Sequence, residues 1–346
     1  MTGDGRTRVG VIGAGRWGPH LIRAFHENPR SRVVAIAEPA AVHRERLSAL
    51  HPEIEFSGDG AALLERRDLD AVVIATPTES HHALAASALD RRLPTFVEKP
   101  LARSVPEAED LRERSAASGT LLFVGHVFLF NDAIRVARDL IRSGELGRIH
   151  YLHSTRINLG PVRTGVSALW DLAAHDVSIF QYWLGQSPRS ATGKGGTYLN
   201  PGIEDVIFAT LEYPGGALAH VHATWLAPRK VRQITVVGDR KMLVFDDRDA
   251  ASPLTLYDKG VLAELDETDS GTLSAFRASI REGDVSSPPV AATEPLRNEC
   301  EHFLDCLRDG VAPLSGPDEG VAVVRILDAI ERSIRCGSRL QEVPAP

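Results

Sequence analysis

The stretch VGVIGAGRWG, residues 9 to 18, limits the fold more than any other part of the chain. A short apolar run reads as a buried strand, Gly13, Gly15 and Gly18 follow at G-x-G-x-x-G spacing, and Trp17 to Glu27 reads as a helix. Glycine spacing alone is a weak signal, because glycine-rich turns have purely structural uses. The strand before and the helix after give it weight. In that setting the first glycine permits the tight turn, the second lets backbone approach a pyrophosphate, and the third lets helix pack on sheet. The helix N-terminus then faces the phosphates, with Arg16 and Trp17 beside them. Glu38 ends the next strand, twenty residues beyond Gly18. A carboxylate there accepts hydrogen bonds from ribose hydroxyls and repels a 2′-phosphate, and Pro39, Ala40 and Ala41 supply no arginine to offset the repulsion. The expected cofactor is NAD in preference to NADP. Arg44 and Arg46 on the following helix read as solvent-facing, with a rescue of NADP by one of them left open.

The rest of the first half repeats strand and helix. SRVVAIAEP, DAVVIATP, PTFVEKP and TLLFVGH are apolar strands, and AAVHRERLSAL, SHHALAASALDR and VPEAEDLRERSAAS read as the helices between them. This pattern predicts an α/β domain with a doubly wound parallel sheet. From Gly147 onward the apolar residues alternate, as in DVIFATLEY and GALAHVHATWL, which predicts an α+β domain on a large, mostly antiparallel open sheet. One helix, Ala168 to Leu184, interrupts those strands. EPLRNECEHFLDCLRDG and PDEGVAVVRILDAIERSI read as two amphipathic helices after the linker DVSSPPVAAT. The 346 residues exceed a usual single core, so the expected domains are 1–125 and 126–346, the terminal helices being free to pack back on the first.

Composition excludes several partners. A net charge of -7 argues against nucleic acid and against an acidic membrane surface. No run of about 18 apolar residues reads as a membrane span, and the N-terminal MTGDGRTRVG lacks the apolar core of a signal peptide, so the expected location is the cytoplasm. Cys300, Cys306 and Cys336 have neither an even count nor metal-ligand spacing, which fits reduced thiols. His220 and His222 share a strand face without a nearby cysteine or suitably spaced carboxylate, so an outer sheet face is the expectation and no metal site is assigned.

Three short stretches carry chemistry. Thr76 and Pro77 follow the strand DAVVI where the crevice of such a sheet opens, with Ser80 as helix N-cap and His81 and His82 read as surface residues. Glu98-Lys99-Pro100 ends PTFVEKP and, taken alone, reads as a solvated ion pair at a strand end. Trp170-Asp171-Leu172-Ala173-Ala174-His175-Asp176 places Asp171 and His175 four apart, on one face of an otherwise apolar helix. Such a pair, taken alone, serves packing more often than catalysis.

In their order, VGVIGAGRWG, IATPTESH, EKPL and WDLAAHD resemble the Gfo/Idh/MocA family of NAD(P)-dependent sugar and cyclitol dehydrogenases. The resemblance covers nearly the whole chain and reverses both of the preceding readings. It implies a cis peptide at Lys99-Pro100, Lys99 pointing at the reacting hydroxyl, and catalytic roles for Lys99, Asp171 and His175. His175 is assigned as proton acceptor, oriented by Asp171, with Lys99 stabilising the developing alkoxide. The opposite division, with Lys99 taking the proton, stays open. The resemblance extends the cofactor site to Thr76, Pro77, His81, Glu98, Lys99, Pro100 and Trp170. WDLAAHDVSIFQYWLG, GGTYLNPGIEDV and LAPRKVRQITVVGDRKM are similar to the nucleotide-sugar branch, whose ketone product passes to an aminotransferase. Arg156, Asn158 and Arg163, or Lys230 and Arg232, are the available groups for a diphosphate, although each alone reads as a surface residue. Gly165-Val166 stands where related chains carry an aspartate. A free sugar, an inositol, a ketosugar reduction and a non-catalytic NAD-binding role are the alternatives. Apolar residues on both faces of strands 204–213 and 217–226 imply a homodimer or homotetramer.

Overall fold

The computed structural model describes residues 5–160, 165–265 and 276–345, with side chains left aside between 261 and 279. It divides into two compact units, 1–131 with 293–328, and 132–292 with 329–345.

The first unit begins with β1 (Thr7–Ile12), α1 (Gly18–Glu27), β2 (Ser31–Ala37), α2 (Ala41–Leu50), β3 (Glu55–Ser57) and α3 (Gly60–Leu64). It continues through β4 (Ala71–Ile74), α4 (His81–Asp90), β5 (Thr95–Glu98), α5 (Val105–Ser118) and β6 (Leu122–Gly125). All six strands are parallel, in the order β3-β2-β1-β4-β5-β6. The order reverses between β1 and β4, which opens a crevice at the carboxyl ends of the strands. Strands β4, β5 and β6 are buried at every residue, as strands of a parallel sheet covered on both faces are. A later helix, α8 (Pro295–Asp309), completes the core of this unit. Its Phe303 meets Phe25, Phe96 and Phe123 edge-on, with ring centroids 5.6 to 5.8 Å apart.

The second unit contains α6 (Asp132–Arg142), β7 (Ile149–Leu159), α7 (Ala174–Leu184) and strands β8 (Ser190–Gly196), β9 (Val206–Glu212), β10 (Leu218–Thr224) and β11 (Leu226–Gly238). Strands β12 (Met242–Asp246), β13 (Leu254–Leu265), β14 (Phe276–Ser286) and β15 (Gln341–Glu342) complete a nine-stranded sheet. The order is β14-β13-β12-β11-β7-β10-β9-β8-β15, antiparallel throughout except for β7 with β10. Helix α9 (Pro317–Arg335) gives residues up to Asp328 to the first unit and the remainder to this one. Side chains alternate across the sheet. Ile207, Ala209, Leu211, Ala219 and Val221 are buried, whereas Tyr151, Phe208 and Leu218 on the opposite face are about 45% exposed.

One expected helix is built differently. The segment read as a helix from Ala168 to Leu184 opens as a π turn, Leu169–Ala173, before α7 starts at Ala174. A π turn accommodates an extra residue per turn and recurs at functional sites. Among the described residues, no helix is long and apolar enough to cross a membrane. All three cysteines are free thiols, with Cys300 and Cys306 buried.

Candidate active site

Side chains from four strand ends knit the carboxyl edge of the parallel sheet together. Gly13 has a φ of +95°, and a Cβ there would lie 2.6 Å from the Ala75 carbonyl, so only glycine lets the loop after β1 pass the turn after β4. A Cβ on Gly15 would meet nothing within 4 Å. That open face, at the N-terminus of α1, is the cradle a pyrophosphate fills, so the loop fits a dinucleotide. Glu38 is buried; its Oε2 accepts from Ala14 N–H at 2.6 Å and its Oε1 from Ala40 N–H at 2.9 Å. Arg44, expected to face solvent, turns back instead and donates to the carbonyls of Glu38 and Pro39 at 2.6 and 2.7 Å. Arg46 is exposed.

Further along the edge, Trp17 lies near the Glu98 carboxylate, whose Oε2 accepts the Lys99 backbone N–H at 3.1 Å. The Lys99-Pro100 bond is cis. His81, expected on the surface, is fully buried, and its ring bridges two turns: Nδ1 lies 2.9 Å from Pro100 O and Nε2 2.9 Å from Thr76 O. The reason is position, since the first residue of α4 points back into the edge and not along the solvent face. Burial lowers the His81 pKa, so the neutral ring prevails and donates to one carbonyl at a time. Ser80 does not cap α4 with its side chain; its hydroxyl donates to Thr76 Oγ1 at 2.7 Å. Pro77 and Arg16 are exposed. His82 pairs with Asp110 at 2.7 Å.

In the second unit, half-buried Asp171 lies in the π turn and half-buried His175 in the first turn of α7. Backbone bonds anchor the segment: Asp171 N–H donates to Ser167 O at 3.0 Å, and Ala168 N–H to Glu204 O at 2.8 Å. The next residue, Asp205, is fully buried and accepts the N–H groups of Tyr198 and Leu199 at 2.7 and 2.8 Å. Trp170 is nearly buried, and its indole N–H goes to Glu331 at 3.3 Å.

Two family profiles match the chain. One, described as an oxidoreductase family with an NAD-binding Rossmann fold, covers residues 7–126, and the GFO/IDH/MocA C-terminal domain covers residues 134–244. The chain belongs to the Gfo/Idh/MocA family. It is an NAD-binding oxidoreductase of that family. The scyllo-inositol 2-dehydrogenase (NAD(+)) of Bacillus subtilis (strain 168) is 26% identical over 357 residues, spanning 97% of this chain and 96% of that one. A crystal structure of an oxidoreductase from Magnetospirillum magnetotacticum MS-1 superposes with a TM-score of 0.79 at 29% identity, covering 94% of this chain and 99% of the other. The WlbA dehydrogenase from Bordetella pertussis, solved with NADH and UDP-GlcNAcA, has a TM-score of 0.79 at 20% identity over 99% and 100% of the two chains, a likeness of fold.

Within this Gfo/Idh/MocA member, the candidate diphosphate ligands fare differently. Arg156, expected on the surface, is buried on the inner face of β7 and grips Asp176 of α7 by three hydrogen bonds of 2.9 to 3.1 Å. Strand periodicity places Arg156 on the same face as Ser154, but the carboxylate that neutralises it lies twenty residues away and has no local signal. Asn158 shares that face and folds over Gly160. Arg163 lies outside the described residues. Lys230 is exposed, and Arg232 pairs with Asp247 at 2.9 Å.

Sequence reasoning also passed over His126 and Glu299. His126, which follows β6, is buried with neither ring nitrogen hydrogen-bonded among the described residues, and burial together with the charge of Lys99 pushes its pKa down to about 3. On the outer face of the large sheet, His153 stacks on His220 with ring centroids 5.4 Å apart, and Phe208 stacks on His222 at 4.5 Å. Among the described residues, His26, His51 and Glu53 form the one cluster of metal-ligand types, with Glu53 Oε1 3.1 Å from His26 Nε2 and 3.5 Å from His51 Nδ1.

Proposed function

We propose that this protein oxidises a secondary ring hydroxyl to a ketone with NAD, and that the ring belongs to a nucleotide-linked sugar being prepared for amination. The observation that carries the dehydrogenase reading is the placement of Lys99 at the carboxyl end of β5, the half of the sheet that holds the nicotinamide end of a dinucleotide in this strand order. Bound NAD supplies the hydride acceptor. Lys99 donates to the substrate oxygen and stabilises the charge that develops there, His175 takes the hydroxyl proton, and Asp171 orients the imidazole and stabilises it once charged. The support for a nucleotide link is the similarity of the WDLAAHD region and its downstream stretches to that branch, together with the fold likeness to a dehydrogenase solved with UDP-GlcNAcA. The commitment of Arg156 to Asp176, together with a near full-length inositol dehydrogenase relative, favours a free cyclitol as the second reading. The exposed Tyr151, Phe208 and Leu218 on the open sheet fit assembly as a homodimer or homotetramer.

Both readings are tested by NADH formation from a panel of UDP-, dTDP- and GDP-sugars set against free sugars and inositols. Replacing Lys99 or His175 by alanine should lower turnover of the active substrate by about a hundredfold or more, with NADH binding retained. Near-normal turnover in both variants would defeat the catalytic assignment, and turnover of nothing in the panel would favour a sensor.

A further inference from the structure

The first unit buries two carboxyl groups that pack against each other by a simple register argument. Phe96 on β5, Phe123 on β6 and Phe303 on α8 pack ring to ring, with centroids 5.1 to 5.7 Å apart. Glu98 lies two residues beyond Phe96 and Gly125 two beyond Phe123, so both continue the same sheet face, and they are register partners. Glu299 lies four residues before Phe303, one turn along the same helix face. A second layer therefore forms beside the aromatic one. A Cβ on Gly125 would come within 3.1 Å of Glu98 Oε1, so the absent side chain is the space the carboxyl occupies. Glu299 is fully buried, and neither of its oxygens, nor Glu98 Oε1, is hydrogen-bonded to any described residue.

Two carboxylates cannot both be charged in such a pocket. Burial lifts both groups, Glu98 to about 7, and the nearby Glu98 charge lifts Glu299 further. Glu98 has the Lys99 charge, the Lys99 N–H and Trp17 to hold its negative charge. The other titratable groups here supply no second cation: the Cys300 thiol is raised well above its usual range by burial, Arg23 on α1 is bound by Glu27 and Glu294, and His126 is held neutral by burial and by the charge of Lys99.

The geometry points to Glu299 as a positioning residue, a neutral carboxylic acid that donates its O–H to Glu98 Oε1 and keeps Glu98 as the carboxylate beside Lys99. Its bearing on turnover rests on the dehydrogenase reading of Lys99, whereas the pair itself does not. Infrared spectra of the purified full chain at pH 8 test the pair directly. The carbonyl stretch of a protonated carboxyl should be present in the wild type and absent from Glu299→Gln, and a wild type without that band overturns the inference whatever the enzyme does. The second test is the pH dependence of NADH formation with the substrate found in the panel. In Glu299→Leu the acid limb should move up by about one unit, because Glu98 loses its donor. In Glu299→Gln the amide N–H replaces that donor and the limb should return. A purely structural role would lower the melting temperature of both variants and leave the limb in place, which refutes positioning. Should Glu299→Leu not fold, the infrared comparison still decides. A protonated band without turnover of any substrate would uphold the pair and count against the dehydrogenase reading alone.

Discussion

Removing Asp176 should cost more stability than removing both members of its ion pair. Arg156 and Asp176 have side chains only 4% and 2% exposed and are joined by Nε and Nη2 to both carboxylate oxygens. Burial raises the Asp176 pKa in spite of the Arg156 guanidinium, so desolvation outweighs the attraction that offsets it. Asp176→Leu leaves the Arg156 guanidinium, which cannot lose its proton, buried without the carboxylate that neutralises it, at a cost of about 3–5 kcal/mol. For a unit of this size that is a fall in melting temperature of roughly 6–20 °C. Arg156→Met strands Asp176, which can escape by protonating. The folded pKa then lies further above the unfolded one, so this variant should regain stability as pH falls through it. The double variant Arg156→Met with Asp176→Leu replaces the pair by apolar bulk and should stay within about 2 kcal/mol of wild type. Denaturant melts of the four proteins, followed by circular dichroism, close the cycle. Single variants that each cost under about 1 kcal/mol and sum to the double would refute a buried, coupled pair. An Arg156→Met variant of near-normal stability whose KM for a UDP-sugar rises tenfold or more would return Arg156 to the substrate.

Two further outcomes follow from the first unit. In Glu38→Gln the amide offers one acceptor to the two N–H groups of Ala14 and Ala40, which costs about 1–3 kcal/mol, while the repulsion of a 2′-phosphate, about 4 kcal/mol between unit charges at 4 Å, disappears. The ratio of kcat/KM for NADP over NAD should rise at least about tenfold, helped by Arg44, and an unchanged ratio would remove Glu38 from ribose recognition. His126, pushed down to about 3, stays neutral in the fold while the unfolded chain takes up a proton near 6.5, so its contribution is present above pH 6.5 and is lost progressively on acidification. Relative to wild type, His126→Phe should therefore gain about 1.4 kcal/mol per pH unit between 6.5 and 4 in denaturant melts, and a pH-independent difference would show that the imidazole is not held neutral.

The parallel sheet was legible because β4 and β6 are short runs without a polar side chain, and the glycine loop because its chemistry is local in the chain. The antiparallel unit was legible from alternation, as in β9 and β10. What stayed hidden is choice of partner, because periodicity names a face and not the group that meets it. His81 was misplaced because two adjacent histidines open α4 and their order does not say which one turns inward. Glu299 had a usable signal, its four-residue spacing to Phe303, but a glutamate in an amphipathic helix reads as the solvent side until the aromatic layer is known. The candidate cofactor residues show the same limit from another direction. Glu38 and His81 bond neighbouring turns of the protein itself, so a residue suited to holding a dinucleotide also has the task of shaping the edge that receives it. Substrate class is subject to this competition as well. Arg156 and Arg232, two of the cations available to a diphosphate, are already held by Asp176 and Asp247. A nucleotide-linked sugar that used them would have to displace internal carboxylates, one of them from a buried pair, and a free cyclitol would not. The choice between the two substrate classes therefore turns on whether the diphosphate can be held by groups other than these two arginines.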